Sequence, residues 1–582
     1  MYILMNHGIF TLLLFVLISN AVADSELRLR DCRCLPSDRC WPSMRNWEAF
    51  NRTINGHLLR LRPIGSACHG AEFDQVKCDE VRANSGDALW RISQPGALIV
   101  NNWETKGENG TCFPDSLPET ICEQGRVPHY AVMAESAQEV QAAVRFARRH
   151  NLRVVIRNTG HDGAGRSSGP GSLQINTSRF KQVQLVDNFI PRGGHQSLGS
   201  AVTAGAGMLG YELLEAARLR GVNVVAGVGS SVGVTGGFLL GGGTGLLSPL
   251  HGMGSDNALQ FKVVTAEGDL VVANQVQNPD LFWALRGGGG GTFGVVVEAT
   301  IRTFPDVPAV MFNLTANLAG NPANRTIWDM TREIAALLPD LKRLDNTTSA
   351  VLLTMMSEAS ASLAVRILFP NTTDVHSTRN NFTGFFQAID QSGLPYTYDL
   401  TMHPQVSTCL PIPESLRVNY GRVEGSILVS EDLFFQQNGT NKILDLLSSL
   451  DYRQGDHIEY QMSAGGQVKA NKGIIDSALL PAWRDSVALI SFRRTLPPTS
   501  TVKTMENNQM PRLYGLQAPF LGSYLNAGDP AQPNFQSAFW GDNYRRLLQI
   551  KRKWDRDDLF IVNLGVGSEG WDVEGICRVR TS

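Results

Sequence analysis

The stretch Val154-Val155-Ile156-Arg157-Asn158-Thr159-Gly160-His161-Asp162-Gly163-Ala164-Gly165-Arg166-Ser167-Ser168-Gly169 decides how this chain is read. Leu152 to Ile156 has the composition of a buried β-strand, and it passes directly into a glycine-rich turn. Backbone N–H groups freed by glycine after a strand form an anion-binding concavity of the size of a pyrophosphate. A histidine in a loop is more often solvated than functional, and it is the position of His161 inside this turn that singles it out.

Upstream, Ser136 to His150 (SAQEVQAAVRFARRH) carries apolar residues at helical spacing behind a serine cap, which predicts a helix feeding the strand. Further strands are predicted at Ala201 to Ala204, Val222 to Ala226, Phe261 to Thr265 and Val295 to Thr300, with glycine-rich turns between them. Residues 126–305 thus read as one α+β unit. Beyond Asp306 glycine thins out, and strands such as Ala350 to Met356 and Val487 to Arg493 alternate with helical stretches such as Arg325 to Leu338, so 306–525 is read as a second domain. Near Asn526 the composition changes again, into an aromatic and basic helix predicted over Phe539 to Trp554, which makes 526–582 a separate C-terminal segment.

The 582 residues are enough for two or three domains with ample core. With 52 Lys+Arg against 54 Asp+Glu, the net charge of −2 supplies no positive field for nucleic acid. The first 23 residues hold no charged side chain; an apolar run from Ile9 to Ile18 ends at Ala21-Val22-Ala23, the pattern of a signal peptide cut before Asp24. No later segment is apolar for long enough to span a membrane, so a soluble chain in the secretory pathway, exported or vesicular, is expected.

Cysteine usage agrees with that compartment. Seven of nine cysteines (Cys32, Cys34, Cys40, Cys68, Cys78, Cys112 and Cys122) fall in the segment 24–125, with Cys409 and Cys577 later, and disulfides stapling a loop-rich segment explain them better than zinc at Cys32, Cys34, Cys40, Cys68 and His69. The odd count leaves one thiol over. N-glycans are expected at several of nine sequons, Asn51, Asn109, Asn176, Asn313, Asn324, Asn346, Asn371, Asn381 and Asn438, although Asn176 sits in an apolar alternating run.

Three glycine patterns have competing readings. Gly205 to Gly210 is a literal GxGxxG, but the next strand ends in Gly-Val-Gly rather than the acidic residue a dinucleotide fold requires. Gly229-Ser230-Ser231-Val232-Gly233 is a literal GxSxG, which raises a secreted serine esterase with Ser231 as nucleophile; the glycine-rich segment after it is poorly suited to the helix that a nucleophile elbow opens. The run Gly287 to Gly291 suggests backbone pressed against a large ligand.

Taken together, VVIRNTGHDGAGRSSG, GVGSSVGVTGGFLLGGGTG, DNALQFKVVTAEGDLVVAN, DLFWALRGGGGGTFGVV, the tail FWGDNYRRLLQIKRKWDRDDLF and GVGSE resemble the fungal FAD-linked oxidoreductases of the berberine bridge enzyme-like branch of the vanillyl-alcohol oxidase (VAO) superfamily. CRCLPSDRCWPS and WDVEGICR are similar to chanoclavine synthase-like and isoamyl alcohol oxidase-like members. The resemblance implies an α+β, two-domain PCMH-type FAD-binding fold. Its second, substrate domain is an antiparallel sheet flanked by helices, and the C-terminal segment returns to the FAD domain. It further implies that Arg157, Asn158, Thr159, Gly160, His161 and Asp162 wrap the FAD pyrophosphate, that His161 carries the flavin covalently, and that Gly165, Arg166, Ser167, Gly229, Ser230, Val232, Gly233, Gly236, Gly237 and Gly243 complete the cofactor site.

Relatives with a second tether place a cysteine where Gly229 stands here, so the resemblance implies a single linkage. Val232 matches a small residue that gives dioxygen access, which implies oxygen as acceptor. Asn543 and Tyr544 match an Asn-Tyr pair near the flavin ring, with Tyr544 either orienting a substrate hydroxyl or simply packing its helix. The glutamate base of some relatives has no counterpart in Ala488 to Arg493, and the base is unassigned. The expected reaction is hydride removal from a C–H bond beside oxygen or nitrogen in a small secondary metabolite. The alternatives are an alcohol or carbohydrate oxidase of the same fold, the Ser231 esterase, and a non-catalytic glycoprotein retaining flavin as a relic.

Overall fold

Ser136 starts the predicted helix: its hydroxyl accepts the N–H of Glu139, and Val140, Ala143, Val144 and Ala147 form the buried stripe of α1 (Ala137–Arg149). The computed structural model describes residues 32–99, 112–319, 323–356, 360–410, 422–495 and 509–579. The predicted signal peptide and Asn109 lie outside them.

Helix α1 packs on a sheet of β1 (Leu58–Arg60), β2 (Tyr130–Met133), β3 (Arg153–Arg157) and β4 (Ser172–Asn176), ordered β1-β2-β4-β3. The last three are parallel, and β1 adds an antiparallel edge from the cysteine-rich segment. Next follow β5 (Val183–Val186), β6 (Ala201–Gly205), β7 (Val222–Asn223), β8 (Ala258–Val264), β9 (Leu270–Asn274), β10 (Val295–Arg302) and β11 (Phe304–Pro305). Five of these form an antiparallel sheet, β5-β6-β10-β8-β9, while β7 pairs only with β11. The strand predicted over Val222 to Ala226 therefore keeps two residues; the chain leaves the ladder because Gly227 and Val228 turn to line a cavity.

The remaining strands are β12 (Ala309–Ala319), β13 (Ser349–Met356), β14 (Ser360–Pro370), β15 (Thr397–His403), β16 (Arg422–Ser430), β17 (Asp456–Met462) and β18 (Ser486–Thr495). They form one antiparallel sheet, β15-β12-β14-β13-β17-β18-β16. One face packs on helices, including α2 (Ala323–Leu344) through Ile327, Met330, Ile334 and Leu338. Side chains alternate across a strand. Accordingly Ile458, Tyr460 and Met462 face that core while His457, Glu459 and Gln461 face the opposite way, toward the first unit.

The tail helix predicted as one element is two, α3 (Phe535–Trp540) and α4 (Tyr544–Trp554), because Gly541 at φ +53° reverses the chain between them. Trp540, Leu547 and Ile550 join the core beneath the five-stranded sheet. The Nζ of Lys551, fully buried, donates to Asp555 and to the carbonyls of Thr292 and Phe560, locking the tail to the first unit. Asp256 accepts two 2.7 Å hydrogen bonds from Arg484, a buried bidentate pair that fixes the two halves against each other.

Disulfides join Cys34 to Cys40, Cys68 to Cys78, Cys112 to Cys122, and Cys32 to Cys577. The thiolates a zinc ion needs at Cys32, Cys34, Cys40 and Cys68 are thereby consumed, and Cys409 is the unpaired ninth. Asn346, Asn371 and Asn438 are exposed, whereas Asn176 is fully buried and bonded to Gln174 and Ser178, where no glycan fits. Among the described residues no helix is long and apolar enough to cross a membrane.

Candidate active site

Between the two halves lies a cavity of about 540 Å³, within the size range of small-molecule sites. Its floor is the turn after β3. Gly160, at φ +85°, swings the chain so that His161 meets the cavity, and Asn158, Thr159, Asp162, Arg166 and Ser167 line it as well. Asp162 holds the turn in shape by accepting from the N–H (2.5 Å) and hydroxyl (2.7 Å) of Ser167. Gly229, Val232, Gly233, Gly236 and Gly237 supply a second wall, and Gly290 and Gly291 a third.

Several observations match an elongated, anionic, flat-ended ligand. A Cβ on Gly237 would meet no atom within 4 Å, and one on Gly290 would sit 3.5 Å from Gly237 Cα, so the two glycines leave open a slot that side chains would fill. Arg166 donates Nε to Asn563 and Nη1 to Leu525, yet its buried Nη2 has no partner, and neither does the buried Oδ1 of Asn158. Buried polar atoms without partners cost about 1–3 kcal/mol each, and a diphosphate and a flavin ring would satisfy them. The residues present fit FAD.

His161 Nε2 stands 2.8 Å from Ser231 Oγ. Burial first, then Arg422 and Arg493, push its pKa down to about 4, so the ring is neutral. Ser231 and His161 do resemble the first two members of a hydrolase triad. Among the described residues, however, no carboxylate hydrogen-bonds His161, and the only carboxylate next to it in sequence, Asp162, is committed to Ser167.

Some expected site residues stand elsewhere. Arg157 is fully buried beneath the turn, donating to the carbonyls of Arg91 and Ile92, so it braces the loop from behind. Gly165 gives its carbonyl to Arg126, Ser230 gives its carbonyl to the N–H of Tyr211, and Gly243 packs under Phe238; none of the three lines the cavity. Nor do Asn543 and Tyr544. Asn543 donates to the carbonyls of Ser477 and Leu479, and Tyr544 bonds Glu569 at 2.5 Å, because the reversal at Gly541 points α4 at the tail. Burial and Glu569 drive the Tyr544 pKa up, the opposite of what a proton acceptor requires. Of the GxGxxG residues only Ala206 reaches the cavity.

The second half contributes what the sequence reading missed. Glu424 on β16, His457, Glu459 and Gln461 on β17, and Ser491 and Arg493 on β18 line the cavity together, with Tyr524 and Asn526 beside them. Arg493 Nε donates to Glu424 Oε1 at 2.7 Å, and its Nη1 donates to Glu459 Oε2. Glu459 Oε1 accepts from Gln461, so both oxygens of Glu459 are occupied; Glu424 Oε2 accepts from nothing among the described residues. The alternation His457-Ile458-Glu459-Tyr460-Gln461-Met462 in a strand buried on both faces was the available signal.

A glycine turn below and a charged sheet above are the two halves of a flavoprotein oxidoreductase site, and comparison with known proteins agrees. Residues 128–274 match the family model described as FAD binding domain, and 523–567 the one described as Berberine and berberine like. The chain is 55% identical over 541 residues to the flavin-dependent oxygenase ucdF of Aspergillus ustus, covering 92% of this chain and 99% of that protein. It is 40% identical over 565 residues to the FAD-linked oxidoreductase malF of Malbranchea aurantiaca, covering 95% of each. Among solved structures, the VAO-type flavoprotein MtVAO713 of Myceliophthora thermophila C1 superposes with a TM-score of 0.84 at 26% identity, over 94% of this chain and 100% of that one. Berberine bridge enzyme of Eschscholzia californica shares the fold, with a TM-score of 0.60 at 16% identity over 89% of this chain and 98% of that one. The chain belongs to the FAD-linked oxidoreductases of the VAO and berberine bridge enzyme-like family.

Proposed function

We propose that this enzyme oxidises a small secondary metabolite at a C–H bond beside oxygen or nitrogen, in a secreted or vesicular compartment, with dioxygen as acceptor. The observation that carries the reading is the cavity itself, with His161 in a glycine turn on one side and Glu424 on the other. Bound FAD would supply the two-electron acceptor for this oxidation. The turn from Asn158 to Ser167 holds its diphosphate, with Arg166 Nη2 as the available cation. His161 would be its covalent anchor, and Gly229, standing where relatives have a second tether, would leave it the single one. The hydrogen bond between Ser231 Oγ and His161 Nε2 orients the ring, so that Nδ1 would be the nitrogen left for the cofactor.

Substrate lies against β16, β17 and β18. Arg493 holds both carboxylates in place, and Glu424 Oε2, the free oxygen, takes the proton from the substrate hydroxyl or N–H group as the adjacent C–H bond is broken. Val232 leaves room for dioxygen, whose reduction by the two electrons and two protons taken from the substrate would give hydrogen peroxide. The test is an absorbance spectrum before and after acid precipitation: the yellow chromophore stays with the wild-type pellet and leaves it in His161→Ala. Chromophore held by denatured His161→Ala, or none in the wild type, overturns the reading. Peroxide release across alcohols, sugars and alkaloids separates the substrate classes, and a fluorophosphonate label on Ser231 of a colourless protein would instead signal an esterase.

A further inference from the structure

The cavity wall built by β16, β17 and β18 carries charges that sum to zero. Arg422 and Arg493 stand against Glu424 and Glu459, and the imidazole between them, His457, is neutral. Its neutrality follows from the contacts: His457 Nδ1 faces the Gly455 carbonyl at 3.4 Å, and Nε2 faces Arg422 Nη2 at 3.1 Å, so Nε2 must be the acceptor. A substrate ion would set three charges of its own sign against two of the other, adding net charge to a buried wall that is balanced without it.

The vacant hydrogen-bonding positions are as informative as the charge. Arg493 spends its guanidinium on both glutamates. Arg422 has no carboxylate contact among the described residues; its Nη2 meets His457, and its buried Nε has no partner. Gln461, 8% exposed, has an Oε1 without a partner. From His457 to Gln461 is four residues of extended strand, about 13 Å. One end of the wall therefore lacks an acceptor and the other end lacks a donor.

We propose that Arg422 receives the carbonyl oxygen of an uncharged, amide-type substrate whose N–H or O–H group reaches Gln461 Oε1, so that the wall selects neutral carbonyl compounds over carboxylates and amines. The inference rests on reading this cavity as the substrate chamber of the oxidase. Its test is calorimetric titration of the holoenzyme with benzamide, benzoate and benzylamine, which are too short to span the about 13 Å to Gln461 and so report on the Arg422 end alone, flavin content being read separately from absorbance. Benzamide is expected to bind at least tenfold tighter than either ion. Arg422→Leu should abolish that preference at undiminished flavin content, while Arg422→Lys retains part of it. Benzoate or benzylamine binding as tightly as benzamide, or a preference unchanged in both variants, overturns the proposal; should the leucine variant not fold, the lysine variant alone decides. Colourless wild-type protein that still prefers benzamide would defeat the flavin reading and leave this one standing.

Discussion

Glu424 and Glu459 share one guanidinium but differ in what remains free among the described residues: one oxygen on Glu424, none on Glu459. Proton transfer by a positioned carboxylate contributes about 10²–10⁴ in rate, so Glu424→Gln should cut turnover by that range with flavin content intact, as followed by flavin bleaching under anaerobic mixing. Glu459→Gln should cost less. Ser231→Ala removes the hydrogen bond to His161 Nε2, and the fraction of chromophore surviving acid precipitation should fall. A separate prediction concerns His251, stacked on Phe304 at 3.7 Å with a buried Nε2 that has no partner. Burial holds its pKa at about 4, below the ordinary 6.5, so the unfolded chain takes up the proton first. Stability is therefore full above about pH 6.5 and is lost as pH falls toward 4, by about 2 kcal/mol between pH 7 and 5. His251→Phe should flatten that slope in thermal melts.

At the scale of elements, the turn after β3 was legible because its chemistry is local: a strand, then glycines, then a histidine and an arginine in one stretch. Helix α1 was legible for the same reason, through its serine cap and period. The carboxylate-bearing wall was not. Glu424, Glu459 and Arg493 meet only because β17 and β16 flank β18, a sheet order that no spacing in the chain encodes. Tyr544 misled in the opposite way: the tail matched a known pattern, but the direction of its helix depends on a single reversal at Gly541. The glycine slot offers an element-scale test. Gly237→Val places a branched side chain in the space opposite Gly290, and the purified protein should lose most of its yellow colour while keeping its circular dichroism spectrum.

For the whole molecule, the two halves are held by different means. Buried pairs such as Asp256 with Arg484 bridge them directly, while Cys32 and Cys577, 545 residues apart, close nearly the entire chain into one covalent loop. A cross-link over so long a loop is worth up to about 5 kcal/mol by restricting the unfolded chain. Cys32→Ser should lower the unfolding temperature in calorimetry and leave flavin binding unaltered, since neither cysteine lines the cavity. The same bond imposes an order on biosynthesis. Cys32 emerges from the ribosome among the first cysteines and Cys577 last, so their bond cannot form until translation has ended. Until then Cys34 and Cys40 are neighbours within reach of a thiol whose proper partner does not yet exist.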